Sequence, residues 1–211
     1  MKLWHQFAIL DLILLMVISK FILNMNYSHP EEFQIKNFPL LQQPDNITCG
    51  PTSCTMLLKY YGRNVGVEEI RYKAKTTWFT YKNKAVGLTV PEYIRSVLKE
   101  YQLDSTLKTG TIDEIKYYVS KNRPPIVLLR SSKALWHYVV VIGYNKEIFI
   151  TADPGSGKME IISQKNFEGA WNYSHDMSGT YMGKDIYRFL LQMIDISGNL
   201  LIIPDFPAEE A

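Results

Sequence analysis

Apolar and polar positions along this chain follow two rhythms. Between Gln42 and Asn122, apolar residues recur at helical spacing inside segments bounded by helix-start and helix-stop residues. "GPTSCTMLLKYYG" has Pro51 near its start and Gly62 as its stop, the asymmetry expected of a helix. "VEEIRYKA" predicts a short second helix. "LTVPEYIRSVLKEYQ" predicts a third, with Thr89 and Glu92 at capping-box spacing and Pro91 in the first turn, and "TIDEIKYYVSKN" repeats the device with Thr111 and Glu114. Beyond these the rhythm shortens. "PPIVLLRSS", "HYVVVIGYN", "EIFITADP" and "KMEIIS" are β-rich runs separated by turn residues. Asn145 and Lys146 make a tight link, so the second and third of these runs are expected to pair antiparallel. "SQKNFEGAW" predicts a short helix, and "GNLLIIPDF" is a strand available to close the sheet. Between Trp171 and Ile196 no pattern decides; "KDIYRFLLQMI" suits helix or strand. Helices followed by an antiparallel sheet make the fold class α+β.

The first residues stand apart. "MKLWHQFAILDLILLMVISKFILN" places Lys2 ahead of an apolar run interrupted by Asp11 and Lys20. Residues 1–24 are read as a signal peptide or membrane anchor. No small-x-small cleavage site follows, which favours an uncut anchor; two charges in a short span keep an amphipathic or buried helix in play. Lys2 ahead of the run predicts a cytoplasmic N-terminus and a main domain outside the membrane, anchored or secreted. Residues 25–40, with Pro30 and Pro39 as breakers, read as a linker, and 41–211 as the domain.

Composition narrows the functions. The 211 residues are 46% hydrophobic and 21% charged, enough to bury a core, and the net charge of +2 gives no electrostatic case for nucleic acid. Two cysteines neither staple a scaffold nor complete a zinc pattern, and none of the four histidines forms a spaced metal-binding pair. "DPGSGK" lacks the upstream glycine of a phosphate loop and reads as a turn after a strand. "RYKAKTTWFTYKNK" is basic with interleaved aromatics. It reads as a solvated loop with aromatic feet in the core, the alternative being contact with an anionic surface. Asn26, Asn46 and Asn172 open N-x-S/T triplets that read as chance matches, since a glycan at Asn46 would crowd Cys49.

Both cysteines lie in "DNITCGPTSC". If Cys49 opens the helix, Cys54 lies about 7.5 Å further along the axis, beyond the roughly 7 Å that a disulfide spans. The helix start favours negative charge, the setting of a thiolate nucleophile. Gly50 permits close approach of a substrate. Cys54, further in, reads as a small buried hydrophobe. A thiolate needs a proton partner, and His137 starts one strand run while Asp153 ends the next. Antiparallel pairing brings those ends to one edge, where the carboxylate can orient the ring. His175 is a spare base in a loop-like setting. Upstream of Cys49, Gln43 or its neighbour Gln42 offers a side-chain amide that can donate to a developing oxyanion together with the Cys49 N–H.

"QPDNITCGPTSCTMLLKYYG", then "HYVVVIGY", then "DP" resembles the papain-like peptidase family C-39, the bacteriocin leader peptidases, and above all its stand-alone branch with a "CGPTS" nucleophile motif. The resemblance covers most of residues 40–171. It implies a papain-like fold with N-terminal helices packed on an antiparallel sheet. It implies cysteine peptidase activity on a peptide or protein substrate, with Cys49 as nucleophile, His137 as base, Asp153 as orienting acid and Gln43 completing the oxyanion hole. No metal or organic cofactor is required by that chemistry. Cys54 departs from the larger apolar residue usual in the family, residues 172–197 fit no recognised pattern, and no ABC-transporter region is present. The leader-cleaving role of transporter-borne members is therefore not implied. Two alternatives remain open: the same thioacyl intermediate used for transfer or deamidation, and a non-catalytic peptide-binding domain.

Overall fold

The computed structural model describes residues 27–81, 83–132, 135–172 and 199–208. The proposed anchor at 1–24, His175 and the undecided stretch after Asn172 lie outside the described residues. Among those described, no helix is long and apolar enough to cross a membrane.

Helix α1 (Cys49–Tyr60) is the centre of the domain. Every residue from Gly50 to Leu58 is buried, so it carries apolar or small side chains all round rather than on one face. Gly62, at φ +75°, ends it: Gly62 N–H reaches Lys59 O and Arg63 N–H reaches back to Leu58 O, a left-handed stop that suits glycine. Helix α2 (Val67–Lys73) and helix α3 (Pro91–Glu100) pack beside α1. Helix α4 (Ile112–Ser120) has the expected capping box, Thr111 with Glu114. The box expected at Thr89 and Glu92 is absent: α3 starts after Val90 with no side-chain cap. Thr89 instead shares a hydrogen bond with the Thr76 hydroxyl, and Glu92 pairs with Arg95.

The strands are β1 (Phe33–Gln34), β2 (Thr77–Tyr81), β3 (Lys84–Leu88), β4 (Ser105–Thr109), β5 (Ile126–Ser132), β6 (Leu135–Tyr144), β7 (Ile148–Asp153), β8 (Lys158–Ser163) and β9 (Leu200–Pro204), with helix α5 (Gln164–Trp171) after β8. The main sheet runs β4-β9-β5-β6-β7-β8, all antiparallel. β9 does not close the sheet at an edge; it lies between β4 and β5, fully buried, as a continuous apolar run demands. The far end of β6 is paired by β1, through Phe33 with Tyr144 and Gln34 with Gly143. Ile35 and Phe38 are buried, Tyr144 Oη donates to Pro30 O and Tyr27 packs edge-on against Tyr117, so the segment read as a linker packs onto the domain from Tyr27 onward.

The basic aromatic stretch is not a loop: it runs from the end of α2 through β2 to the first residue of β3, its hairpin partner. Trp78 is 61% exposed and neighbouring Tyr72 86%. What docks this hairpin is a glycine: a Cβ on Gly87 would stand 2.2 Å from Ile47 O, so the hairpin backbone lies directly on the loop before Cys49.

Candidate active site

Cys49 is the first residue of α1, a half-buried free thiol. Thr48, the N-cap, turns its hydroxyl back to Asp45 and gives no side-chain cap, so its oxygen does not occupy the first-turn N–H groups beside the sulfur. Cys54 is buried and free, and burial alone pushes its thiol far up, as suits a packing residue rather than a thiolate.

His137 is the third residue of β6 and Asp153 the last of β7. Asn145 makes the link between those strands: its Oδ1 accepts from Glu147 N–H and Ile148 N–H at 2.8 and 2.9 Å. Val140 then pairs with Ala152, which brings the two outer ends together. His137 Nε2–H donates to Asp153 Oδ1 at 2.7 Å, and Gly155 N–H donates to the same oxygen at 2.6 Å. Cys49 acts on the same ring, and with Nε2 given to Asp153, Nδ1 is the ring nitrogen left for a partner. Burial works against charge on the ring, but the hydrogen bonds to Asp153 and Cys49 and the negative charge on both raise His137 from 6.5 to about 9. Asp153 shows the reciprocal effect. Burial favours its neutral form, yet the His137 bond and charge and the N–H groups of Gly155 and Ser156 hold its carboxyl below the usual range.

The residues after Asp153 form a turn that carries a second part of the site. Gly157, at φ +67°, closes it by donating to Asp153 O at 2.9 Å, and a Cβ there would stand 2.7 Å from Gln42 Cβ. Gln43 N–H donates to Pro154 O at 2.8 Å. The backbone of the residue whose side chain resembles the family's oxyanion donor is thus pinned to the same turn that positions Asp153. Gln43 Nε2 donates to Asp45 O, while its Oε1 is buried with no partner among the described residues.

Sequence reasoning missed two contributors here. Gly155 leaves room over the His137–Asp153 bond, and only its place after Asp-Pro hints at it. Asp45 organises the loop before α1, and an Asp three residues ahead of a Thr at a helix start is a recognisable local hydrogen-bonding signal. Among the described residues no cluster of three or more His, Cys, Asp or Glu is placed to hold a metal.

The family model described as Peptidase_C39 like family matches residues 35–178, well over half of the chain. The chain belongs to that family. Its C39 relatives include the Streptococcus pneumoniae transport/processing ATP-binding protein ComA, 30% identical over 131 residues, which is 61% of this chain and 17% of ComA. The chain thus corresponds to a small part of that relative's length. Among solved structures, a putative C39-like peptidase from Bacillus anthracis matches with TM-score 0.62 at 18% identity, over 85% of this chain and all of that one. The peptidase domain of Streptococcus ComA matches with TM-score 0.56 at 22% identity, over 80% of this chain and 98% of the domain. These likenesses fix the papain-like α+β fold of the C39 domains, and the family membership supports a peptidase-type function.

Proposed function

We propose that this domain hydrolyses peptide bonds through a cysteine nucleophile. The observation that carries the reading is the His137–Asp153 hydrogen bond, with Cys49 at the start of α1 and acting on the same ring. The Cys49 thiolate forms a bond to the scissile carbonyl carbon, and the carbonyl π electrons move to oxygen. Cys49 N–H and the second N–H of Gln43 Nε2 stabilise that oxyanion. His137 gives its Nδ1 proton to the leaving amine as the C–N bond breaks. Water, giving a proton to His137, then displaces the thiolate from the acyl-enzyme. Acylation removes the sulfur's hydrogen bond and charge from His137, both of which raise its pKa, so the ring becomes a better match to a base at neutral pH in the step that needs one. Asp153 holds the ring in this orientation throughout. The substrate is a peptide or protein segment, and the domain works outside the membrane on the N-terminal segment. Carbonate extraction of membranes and protease accessibility in intact cells test that placement; a cytoplasmic, freely extractable chain would refute it.

The hydrolysis reading is tested by incubating the protein with a peptide library and reading products by mass spectrometry. New termini are expected with the wild type and not with Cys49→Ala. A one-dalton gain without cleavage would indicate deamidation instead. If Cys49 also reacts with iodoacetamide no faster than a free model thiol, and His137→Ala changes nothing, the activated-nucleophile reading fails.

A further inference from the structure

The Pro154 turn beside Asp153 holds the Gln43 backbone, but a different residue, Asp45, holds its side-chain amide. Asp45 Oδ1 accepts from Ile47 N–H at 3.0 Å and from the Thr48 hydroxyl at 2.8 Å. Its other oxygen, Oδ2, accepts from Arg71 Nη1 on α2 at 3.2 Å. Its backbone carbonyl accepts from Gln43 Nε2. One residue therefore ties together the oxyanion amide, the residue preceding the nucleophile, and a neighbouring helix. Two of these ties act on the loop's shape, since bonds from a side chain to N–H two residues on and to a hydroxyl three residues on close a tight turn. The fourth uses that shape, because the carbonyl meets the Gln43 amide only while the turn is held. The carbonyl also selects which end of the amide faces it: oxygen there would be repelled, so nitrogen turns inward and its second N–H is available to a substrate oxygen.

We propose that Asp45, braced by Arg71, is a positioning residue that sets the Gln43 amide for the oxyanion. The proposal rests on the hydrolysis reading above and goes beyond it by locating what orients the donor. Asp45 acts through Gln43 and touches neither substrate nor sulfur.

The test separates chemistry that needs an oxyanion from chemistry that does not. p-Nitrophenyl acetate acylates a cysteine through a tetrahedral oxyanion: the S–C bond forms, the C–O bond breaks and p-nitrophenolate leaves. Iodoacetamide alkylates the same sulfur by displacing iodide, with no oxyanion. The ratio of the two rate constants at Cys49 reports the oxyanion hole independently of the natural substrate. Asp45→Ala is expected to lower that ratio at least about tenfold, part of the loss from removing a donor outright. Asp45→Asn, which keeps the Oδ1 acceptor, should stay within about threefold of the wild type. In the double variant Gln43→Ala/Asp45→Ala the ratio should be no lower than in Gln43→Ala alone, because Asp45 then has no amide left to set. A ratio unchanged by Asp45→Ala while Gln43→Ala lowers it overturns the Asp45 proposal and leaves the oxyanion role of Gln43 standing. Multiplying effects in the double variant, or acylation and alkylation falling together in Asp45→Ala, also overturn it. A ratio unmoved by Gln43→Ala, or a wild type alkylated but never acylated, overturns both.

Discussion

The two halves of this site are built by different means. His137 and Asp153 sit on adjacent strands in the middle of the main sheet, where ladder hydrogen bonds on both flanks of β6 fix their register. Cys49 and Gln43 belong to a helix start and the loop before it, and side-chain bonds converging on Asp45 hold that loop in shape. Beside the packing of α1 on β6, the loop meets the turn after Asp153 at one backbone bond, Gln43 N–H to Pro154 O, where a glycine at 157 lets the two segments approach. A strand-borne pair is over-determined, because displacing it breaks several backbone bonds at once. A loop-borne donor depends on a few side chains, each singly removable. Proton transfer should therefore resist substitution in its surroundings, and oxyanion stabilisation should not.

On the proposed hydrolysis, the largest effects come from deleting the reacting atoms themselves. Cys49→Ala and His137→Ala should each lower peptide hydrolysis by about 10⁴-fold or more with the fold retained by circular dichroism. Asp153→Asn probes the strand-borne half. It should cost about a hundredfold or more in turnover. It should also move the alkaline limb of the rate profile for Cys49 alkylation below about 9, because the largest influence raising the His137 pKa is lost. An unmoved alkaline limb would mean that Asp153 does not govern the ring. The linked stability follows from the same directions. His137 is raised, so its contribution is fully present below its unfolded value of about 6.5 and is lost as pH rises through about 9. Asp153 is depressed, so its contribution is present above its unfolded value and is lost as pH falls through the folded one. The stability advantage of wild type over Asp153→Asn should thus be widest between those limits and shrink at both ends, as urea titrations across pH would show.

Gly155→Ala is next in size. Its Cβ would stand 3.0 Å from Asp153 Oδ1 and 3.5 Å from His137 Cε1, so something must shift by tenths of an ångström. With the sheet holding both partners, turnover should drop about tenfold with KM unchanged, the size expected when a proton-transfer geometry is loosened but not lost. A change in KM alone would place Gly155 in substrate contact instead.

What the sequence disclosed divides along the same line. The β6–β7 pairing is readable because Asn145-Lys146 permits only a tight link between two short apolar runs. The limits of α1 are readable from Pro51 and Gly62, and the α4 cap from Thr111 with Glu114. The identical spacing at Thr89 and Glu92 misled because Thr89 is buried against the chain beside α1: a Cβ on Gly50 would stand 2.9 Å from Thr89 Cβ, and Tyr138 Oη donates to Thr89 O. Tertiary packing overrode the local signal. β4 escaped notice since "STLKT" is short and polar at a sheet edge, and the central place of β9 depends on chain entropy and pairing that no local pattern encodes. Asp45 had a local signal in its spacing to Thr48, but its wider role was hidden: its bond to Arg71 joins residues far apart in sequence, and its tie to Gln43 uses a backbone oxygen common to every residue type.

The smallest predicted effect is the sharpest check on the comparison. Thr48→Val removes one bond to Asp45 Oδ1 from a fully buried position while keeping the side chain's shape. The same oxygen keeps the Ile47 N–H, so the turn survives with one tie fewer. Loss of a hydrogen bond to a charged group is expected to cost about 1.5–3 kcal/mol, seen as a fall in Tm of roughly 2–4 °C per kcal/mol for a domain of this size. If side-chain ties position the loop additively, turnover should fall only about twofold, less than for Gly155→Ala. A larger activity loss than Gly155→Ala, at similar stability, would show that the loop has no redundancy and that the two halves differ even more than their hydrogen bonds suggest. An activity unchanged together with an unchanged Tm would show that Ile47 and Arg71 alone hold Asp45, narrowing the positioning device to the backbone turn and the α2 guanidinium.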